Sequence, residues 1–529
     1  MRRNSKPLTP DERVQTRRLA ELSLANPFLP RRARLEAEVL GVPEQAAAES
    51  WSLTFTPADK RSRATEDLLQ LLTSLVARWR QQFTSMSRAR DADAHSYVQM
   101  VRFYLFLKFQ RNFHQAAGED SGETVTRPAR MEFWKPFLDE SARCLGLPGL
   151  PPFDETKAAH LFAILFQIRR AFVHIYKHIV GRSPAAARLR AATWESIFTH
   201  DLDRYIASRH RHTGDIPTLI TGPSGSGKEL VARAIGLSRY VPFVPGAGTF
   251  VGNYAGSFHP VNLSALTPTL IESELFGHQR GAFTGALANH QGWLERCPPH
   301  GTVFLDEIGE FEVAAQVKLL RVLQTRLFQR VGDATTRRFS GKIVVATNRD
   351  LGAAIAVHRF RADLYYRLCG DILATPSLQE QLADSPDDLA LWVEYIGRQM
   401  GEEEPSPLVA EVVSWVEHHL GNDYAWPGNF RELEQCVRNI WIRKTYRPVA
   451  GALAPSSEDA WLDAARTGRL TAEELLQGYC ARAYSKTGNY RAVARALKLD
   501  WRTVRLNVEQ AGNTPGLRPL NGQTSLAGS

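Results

Sequence analysis

The chain has 529 residues, 43% of them hydrophobic, with a formal charge of +9, enough length for about three domains and a charge that suits a nucleic-acid partner without demonstrating one. No stretch reads as a membrane span of about 18 apolar residues, since even Tyr97 to Phe109 contains Arg102 and Lys108, and the basic start MRRNSKPLTPDERVQ lacks the apolar core of a secretory signal. Five dispersed cysteines (Cys144, Cys297, Cys369, Cys436, Cys480) without CxxC spacing argue against a disulfide framework or a zinc site, and a cytoplasmic protein with no membrane partner is expected.

Residues 1–178 read as an all-α N-terminal domain with a regulatory part to play. Leu68, Leu72, Leu75, Trp79 and Phe83 recur at steps of four and three, the stripe of an amphipathic helix, and Gly/Pro-rich breaks at 118–128 and 147–152 divide the domain. A last helix, roughly Ala158 to His178, carries Leu161, Leu165, Ile168, Phe172, Ile175 and Ile179 as a heptad seam, while Phe162, Phe166, Val173 and Tyr176 make its other face apolar. Two readings stand: a dimerising coiled linker, or a helix buried in the domain.

Next come the signs of an α/β domain. Pro217 to Thr221 reads as a buried strand entering Gly222, Pro223, Ser224, Gly225, Ser226, Gly227, Lys228 and Glu229, and then a helix. This is a phosphate-binding loop: the glycines allow a tight turn whose amides face phosphate, the helix N-terminus adds its dipole, and Lys228 reaches the β and γ phosphates of ATP. A second strand, Val303 to Leu305, ends in Asp306 and Glu307. A carboxylate pair there suits Mg2+ at Asp306 and polarisation of the attacking water by Glu307. A third, Lys342 to Asp350, ends in Thr347 and Asn348. Between the first two lies ELFGHQRGAFTGA, with Gly281, Ala282, Phe283, Thr284, Gly285 and Ala286 at its core, 53 residues after Lys228. Two glycines leave this loop free to change shape, and Phe283 and Thr284 offer one apolar and one hydroxyl contact at an exposed tip.

After a Pro/Ala/Ser/Gly linker, Leu475 to Val508 fits a three-helix DNA-reading motif. Tyr490 to Leu497 is its first helix, Lys498 to Asp500 the turn, and Trp501 to Val508 the recognition helix capped by Asp500. Val493, Leu497, Leu499, Val504 and Val508 form its core. Arg502, Thr503 and Arg505 face outward toward double-stranded DNA, in a segment with eight Lys/Arg against four Asp/Glu from Thr471 on.

From Ile179 to Val508 these motifs resemble the bacterial enhancer-binding proteins, AAA+ ATPases that remodel RNA polymerase carrying sigma-54. The resemblance implies that the Gly281–Ala286 loop touches sigma-54, and that Glu229, where most phosphate loops have Ser or Thr, is ordinary. It implies that Asn262 pairs with Glu307, that Asn348 helps place the water, and that Arg431 in WPGNFRELE senses nucleotide. Arg361 and Arg367 in FRADLYYRL would act as arginine fingers in a neighbouring subunit, so that hydrolysis requires a ring, expected to be a hexamer. Two departures stand out. TPSLQEQ (375–381) lacks the usual arginine and one proline, and the segments 200–216 and 240–257 are longer than is typical. The Arg209–His212 run in the first of these reads as solvated charge.

The expected organisation is a helical domain 1–178, an α/β ATPase subdomain 179–375 built on a parallel sheet, a helical lid 376–447, a linker 448–470, a Fis-like helix-turn-helix domain 471–512 and a disordered tail 513–529. The expected function is sigma-54-dependent activation of transcription. Two alternatives are a DNA-binding regulator whose ATPase fold only assembles it, and a AAA+ remodeller of some other protein.

Overall fold

The computed structural model describes residues 8–43, 63–84, 90–118, 130–252, 257–421, 424–448, 465 and 470–513. By its internal contacts the chain divides into two units, Met1–Ile442 and Arg443–Ser529. Most of the expected linker, residues 514–529 of the expected tail, and residues 119–128 of the first Gly/Pro-rich break lie outside the described residues.

The first unit begins with helices whose ends are chemically marked. Thr9 and Glu12 form a reciprocal capping box at the start of Pro10–Leu24, with Pro10 in the first turn, where its missing N–H costs nothing. The stripe expected from the spacing is buried along Arg63–Thr84, and the Trp79 indole N–H donates to Thr16 Oγ1 at 2.8 Å. The helix Glu155–His178 starts at Asp154, whose side chain accepts from Lys157 N. Leu161, Leu165 and Ile175 on the seam and Phe162 and Phe166 on the other face are all buried, so this is the core helix of the two readings. It is also long and apolar enough to cross a membrane, contrary to the reading of the sequence, although 72% of its most apolar window is buried inside the protein.

The core of these helices continues into the next part of the chain. A two-stranded antiparallel hairpin, β2 (Phe243–Val244) with β3 (Thr249–Phe250), presents Phe243 and Phe250 to Phe162, at ring distances of 4.6 and 6.2 Å. Phe166 stacks on Phe250 at 4.7 Å. Both segments read above as long therefore face the N-terminal helices: residues 240–257 supply this hairpin, and residues 200–216 supply Tyr205, which accepts from Gln167 Nε2 at 2.7 Å. His210 corrects one expectation. Arg211 and His212 are exposed, but His210 turns inward against His160 and Tyr240, its Nδ1 bonded to the Tyr205 carbonyl.

The sheet at the centre is parallel and five-stranded, in the order β4 (Phe258–Asn262), β5 (Thr302–Asp306), β8 (Lys342–Thr347), β1 (Thr218–Thr221), β9 (Asp371–Ala374). Runs such as Val303–Leu305 and Ile343–Ala346 are buried on both faces, as a parallel sheet covered by helices requires. β1 stands between β8 and β9, and β5 between β4 and β8, so the carboxyl ends of β1, β5 and β8 open on one edge. A small antiparallel pair, β6 (Leu327–Phe328) with β7 (Arg337–Arg338), follows the helix Val313–Thr325. Beyond β9 come the helices Leu378–Asp384, Asp388–Gln399, Ser406–His419 and Asn429–Arg443.

The second unit holds Ala472–Thr487, Tyr490–Leu497 and Trp501–Asn513. Asn489 caps the middle helix, and Lys498, at φ 53°, ends it in the left-handed region. Asp500 Oδ1 accepts from Arg502 N at 2.8 Å, as expected of an N-cap. Val493 and Val504 are buried, with Leu497, Leu499 and Val508 packed around them.

Candidate functional site: a phosphate loop, a carboxylate pair and an exposed hairpin

β1 runs into a loop in which Gly222, Gly225 and Gly227 have φ of 149°, 74° and 88°, values open to glycine at no steric cost. A side chain at Gly225 would also collide with the Gly428 carbonyl oxygen, 2.4 Å from its Cβ position. The loop ends at the N-terminus of the helix Lys228–Gly236, where backbone N–H groups and the helix dipole favour an anion. Lys228 is buried, and its Nζ donates to the carbonyls of Gly222 and Pro223 at 3.0 Å each. Burial lowers its pKa, against the nearby carboxylates Glu307 and Asp306, which hold it up. Ser226 Oγ donates to the Pro223 carbonyl and shares a 2.6 Å hydrogen bond with Thr375 Oγ1, tying the loop to the end of β9.

Asp306 closes β5. Burial, and then the Glu307 charge, push its carboxyl above the ordinary range. Glu307 sits at φ 56°, a left-handed backbone that is uncommon outside glycine, and its Oε2 accepts from Asn348 N at 3.3 Å. Asn348, at the end of β8, therefore meets Glu307 through its backbone N–H. Asn262 does not: its backbone lies opposite Asp306 in the β4–β5 register, but its Oδ1 accepts from Ser264 N at 3.0 Å and Ser264 Oγ at 2.8 Å. The local turn outcompetes the longer reach.

The lid reaches the phosphate loop through three contacts. Phe430 N donates to the Gly225 carbonyl at 3.1 Å, Asn429 Nδ2 to the Ser224 carbonyl at 3.0 Å, and Arg431 to Ser224 Oγ at 3.5 Å. Asn429, buried and at φ 52°, also accepts from Leu378 N at 2.8 Å. It was missed in the sequence, where only its place beside Arg431 in WPGNFRELE pointed to it. The TPSLQEQ departure makes a sound helix start: Ser377 and Glu380 form a capping box on Leu378–Asp384. Glu229 lies in the first turn after Lys228 and pairs with Arg233 at 3.4 Å. Arg361 is paired within its own chain to Asp363, at 3.0 and 2.7 Å, and Arg367 donates to the Leu323 carbonyl at 3.2 and 3.1 Å.

The loop after the helix Pro268–Phe276 is a tight hairpin. Gly281 N donates to the Ala286 carbonyl and Ala286 N to that of Phe283, with Gly281 and Gly285 at φ 82° and 99°. Phe283 rests edge-on against His278 at 4.9 Å, Thr284 is exposed, and Leu287 beside them is 86% exposed. The turn between β6 and β7 supports the hairpin, an arrangement not read from the sequence: Gln279 N donates to the Val331 carbonyl at 3.0 Å, and Gly332 lies so close to Ala282 that a Cβ there would stand 2.9 Å from the alanine methyl. In the second unit Arg502, Thr503 and Arg505 are exposed on one helix. Arg505 pairs with Glu509 at 2.8 Å, and Arg502 lies over the Trp501 ring.

A five-stranded parallel sheet in this order, with a glycine loop after β1, a carboxylate pair after β5 and a helical lid folded back on the loop, defines an AAA+ P-loop fold. Residues 200–372 match the model of the Sigma-54 interaction domain. The chain is 43% identical over 272 residues to the Nif-specific regulatory protein of Azotobacter vinelandii, covering 50% of this chain and 44% of that one. It is 33% identical over 372 residues to the anaerobic nitric oxide reductase transcription regulator NorR of Aeromonas salmonicida (strain A449), covering 64% of each. It thus spans less than two thirds of the length of these curated relatives. A solved structure of NtrX from Brucella abortus in complex with ATP aligns over 70% of this chain and 79% of that one, at 25% identity and a TM-score of 0.38. What the comparisons establish is a Sigma-54 interaction domain over residues 200–372 of an AAA+ fold.

Proposed function

We propose that the chain activates transcription by sigma-54 RNA polymerase, binding upstream DNA through the helix Trp501–Asn513 and using ATP hydrolysis in a ring, a hexamer when active, to drive promoter opening. The observation that carries this reading is the pairing of a complete phosphate loop and carboxylate pair with a hairpin that holds Phe283 half-buried and Thr284 exposed and that a neighbouring turn supports. The donor set fits magnesium and ATP: half-buried Asp306 beside Glu307 has surplus negative charge that a divalent cation relieves, and the Gly222–Gly227 turn with Lys228 offers amides and an ammonium to phosphates. Bound magnesium ATP supplies the phosphoryl group whose hydrolysis is the source of free energy.

With nucleotide bound, Lys228 would exchange the Gly222 and Pro223 carbonyls for phosphate oxygens, Asp306 would hold the metal, and Glu307 would take a proton from water held by Asn348. Arg431 reads nucleotide from the lid. Arg361 and Arg367 leave Asp363 and the Leu323 carbonyl to reach the neighbouring subunit's site. Asn262, released from Ser264, pairs with Glu307, and its movement passes through the helix Pro268–Phe276 to the hairpin. Arg502, Thr503 and Arg505 meet DNA. A cytoplasmic location fits this partner set.

The test is ATP-dependent open-complex formation by sigma-54 polymerase on a sigma-54 promoter, with the full chain beside Thr284→Ala. Opening by the wild type, and near-normal hydrolysis without opening by Thr284→Ala, is the expected outcome. Hydrolysis by both proteins with no opening by either would overturn sigma-54 as the target and favour a remodeller of another protein.

A further inference from the structure

The two long segments and the N-terminal core helix enclose a cavity of about 20 Å3, lined among others by Gln167, Tyr205, His210, Arg239, Tyr240 and Lys342. Open to the centres of water-sized molecules over that volume, it has room for a small polyatomic ion. It lies at the start of β8, the opposite end of that strand from Asn348, and plays no part in the chemistry above.

Its charge is unbalanced. Lys342 is 4% exposed, and its Nζ donates to the Ile216 carbonyl at 2.7 Å. Arg239 donates to the Gly301 carbonyl. Among the described residues neither cation has a carboxylate within ion-pair distance. Asp371, which acts on Lys342 from further off, accepts hydrogen bonds from Ser196 at 2.5 Å and Thr218 at 3.0 Å. The neighbouring Arg326 is paired with Asp215 at 2.9 Å. Buried cations without a counter-ion are costly, and an anion among them removes that cost.

A second observation narrows the ligand. Gln167, 1% exposed, uses Nε2 to donate to Tyr205 Oη at 2.7 Å and to the Ser238 carbonyl at 2.9 Å, while its Oε1 is buried with no partner. An unpaired buried carbonyl needs a donor. The cavity thus calls for negative charge and one O–H together, in a small volume.

We propose that this cavity is a binding site for a small monovalent oxyanion carrying one hydroxyl, of which bicarbonate is the type: its charge faces Lys342 and Arg239, and its O–H donates to Gln167 Oε1. Nitrate has the shape and charge but no proton to give. Bound there, the anion joins the helix Glu155–His178 to the segment leaving the phosphate-loop helix, which makes the site a place where a dissolved small anion acts on the contact between the N-terminal helices and the ATPase fold.

The experiment is thermal unfolding of the full chain in closed vessels near neutral pH, with sodium bicarbonate against sodium nitrate at constant ionic strength. Bicarbonate is expected to raise Tm saturably by roughly 2–4 °C, and nitrate by less. Lys342→Met should remove the bicarbonate response, and Gln167→Leu should make the two anions equal. Identical curves for the two anions in the wild type would overturn the proposal, as would an undiminished bicarbonate response in Lys342→Met. If Lys342→Met does not fold, Gln167→Leu decides: a preference for bicarbonate that survives this change would exclude the assigned contact.

Discussion

Glu307 holds an uncommon backbone conformation at the carboxyl end of β5, and its side chain accepts a hydrogen bond from the backbone of Asn348. A side chain placed this way can be changed chemically without being moved. Glu307→Gln keeps the acceptor oxygen and loses the base, so ATP affinity should hold while hydrolysis falls by roughly 10²- to 10⁴-fold, as equilibrium binding and phosphate release would report. Lys342 offers a test by pH. Burial first, and Arg239 next, bring it from its ordinary 10.5 down to about 7, with Asp371 opposing. Between those values the unfolded chain binds the extra proton, so stability should rise with pH through that window and be lost as pH falls toward 7. Denaturant unfolding at several pH values in bicarbonate-free buffer should show this slope in the wild type and a flatter one in Lys342→Met.

Among the elements, Asn429 joins the lid helix Asn429–Arg443 to the phosphate loop and to the helix Leu378–Asp384. Asn429 satisfies the Ser224 carbonyl and the Leu378 N–H at once. Asn429→Ala leaves both without their partner and places alanine at φ 52°. A loss of about 2–4 kcal/mol in unfolding free energy is expected, together with weaker nucleotide binding, both measurable by denaturant titration with and without ATP. The helix Trp501–Asn513 belongs to this scale too. Val493 and Val504 hold it by apolar contact, leaving Arg502 and Arg505 free to be replaced without unfolding it. The double change to alanine should weaken operator binding by at least about 1–3 kcal/mol and reduce its salt dependence, and unchanged affinity at fixed salt would remove these residues from the DNA contact.

Taken whole, the first unit shares a core between parts that the sequence suggested were separate. Phe162 and Phe166 lie against Phe243 and Phe250, and Arg170 donates to the Leu237 and Arg239 carbonyls. Cutting the chain at residue 178 would bare that face. A fragment of residues 179–447 is therefore expected to show a lower Tm than the full chain and a tendency to aggregate, and Phe243→Ser with Phe250→Ser should improve its solubility; light scattering during a melt would record both.

Wherever local structure rests on a few adjacent residues, the sequence alone was sufficient. The turn Gly222–Gly227, the Asp306/Glu307 pair and the Gly281–Ala286 loop each depend on a few adjacent residues whose backbone freedom or charge has no ready substitute, and the buried strands beside them read directly as parallel β. The C-terminal helices Tyr490–Leu497 and Trp501–Asn513 were legible for the same reason, since their cap, turn and small core all fall within a short span. What only the tertiary structure decided was set by competition between distant partners. Asn262 was free to choose Ser264 over Glu307. The seam of Glu155–His178 had to choose between a second helix and the β2–β3 hairpin, and the aromatic surface of the hairpin took both faces into one core. Lys342, Arg239 and Gln167 come from three remote segments, so no periodicity or spacing announces their shared cavity: burial and unpaired polar atoms exist only once the chain has folded.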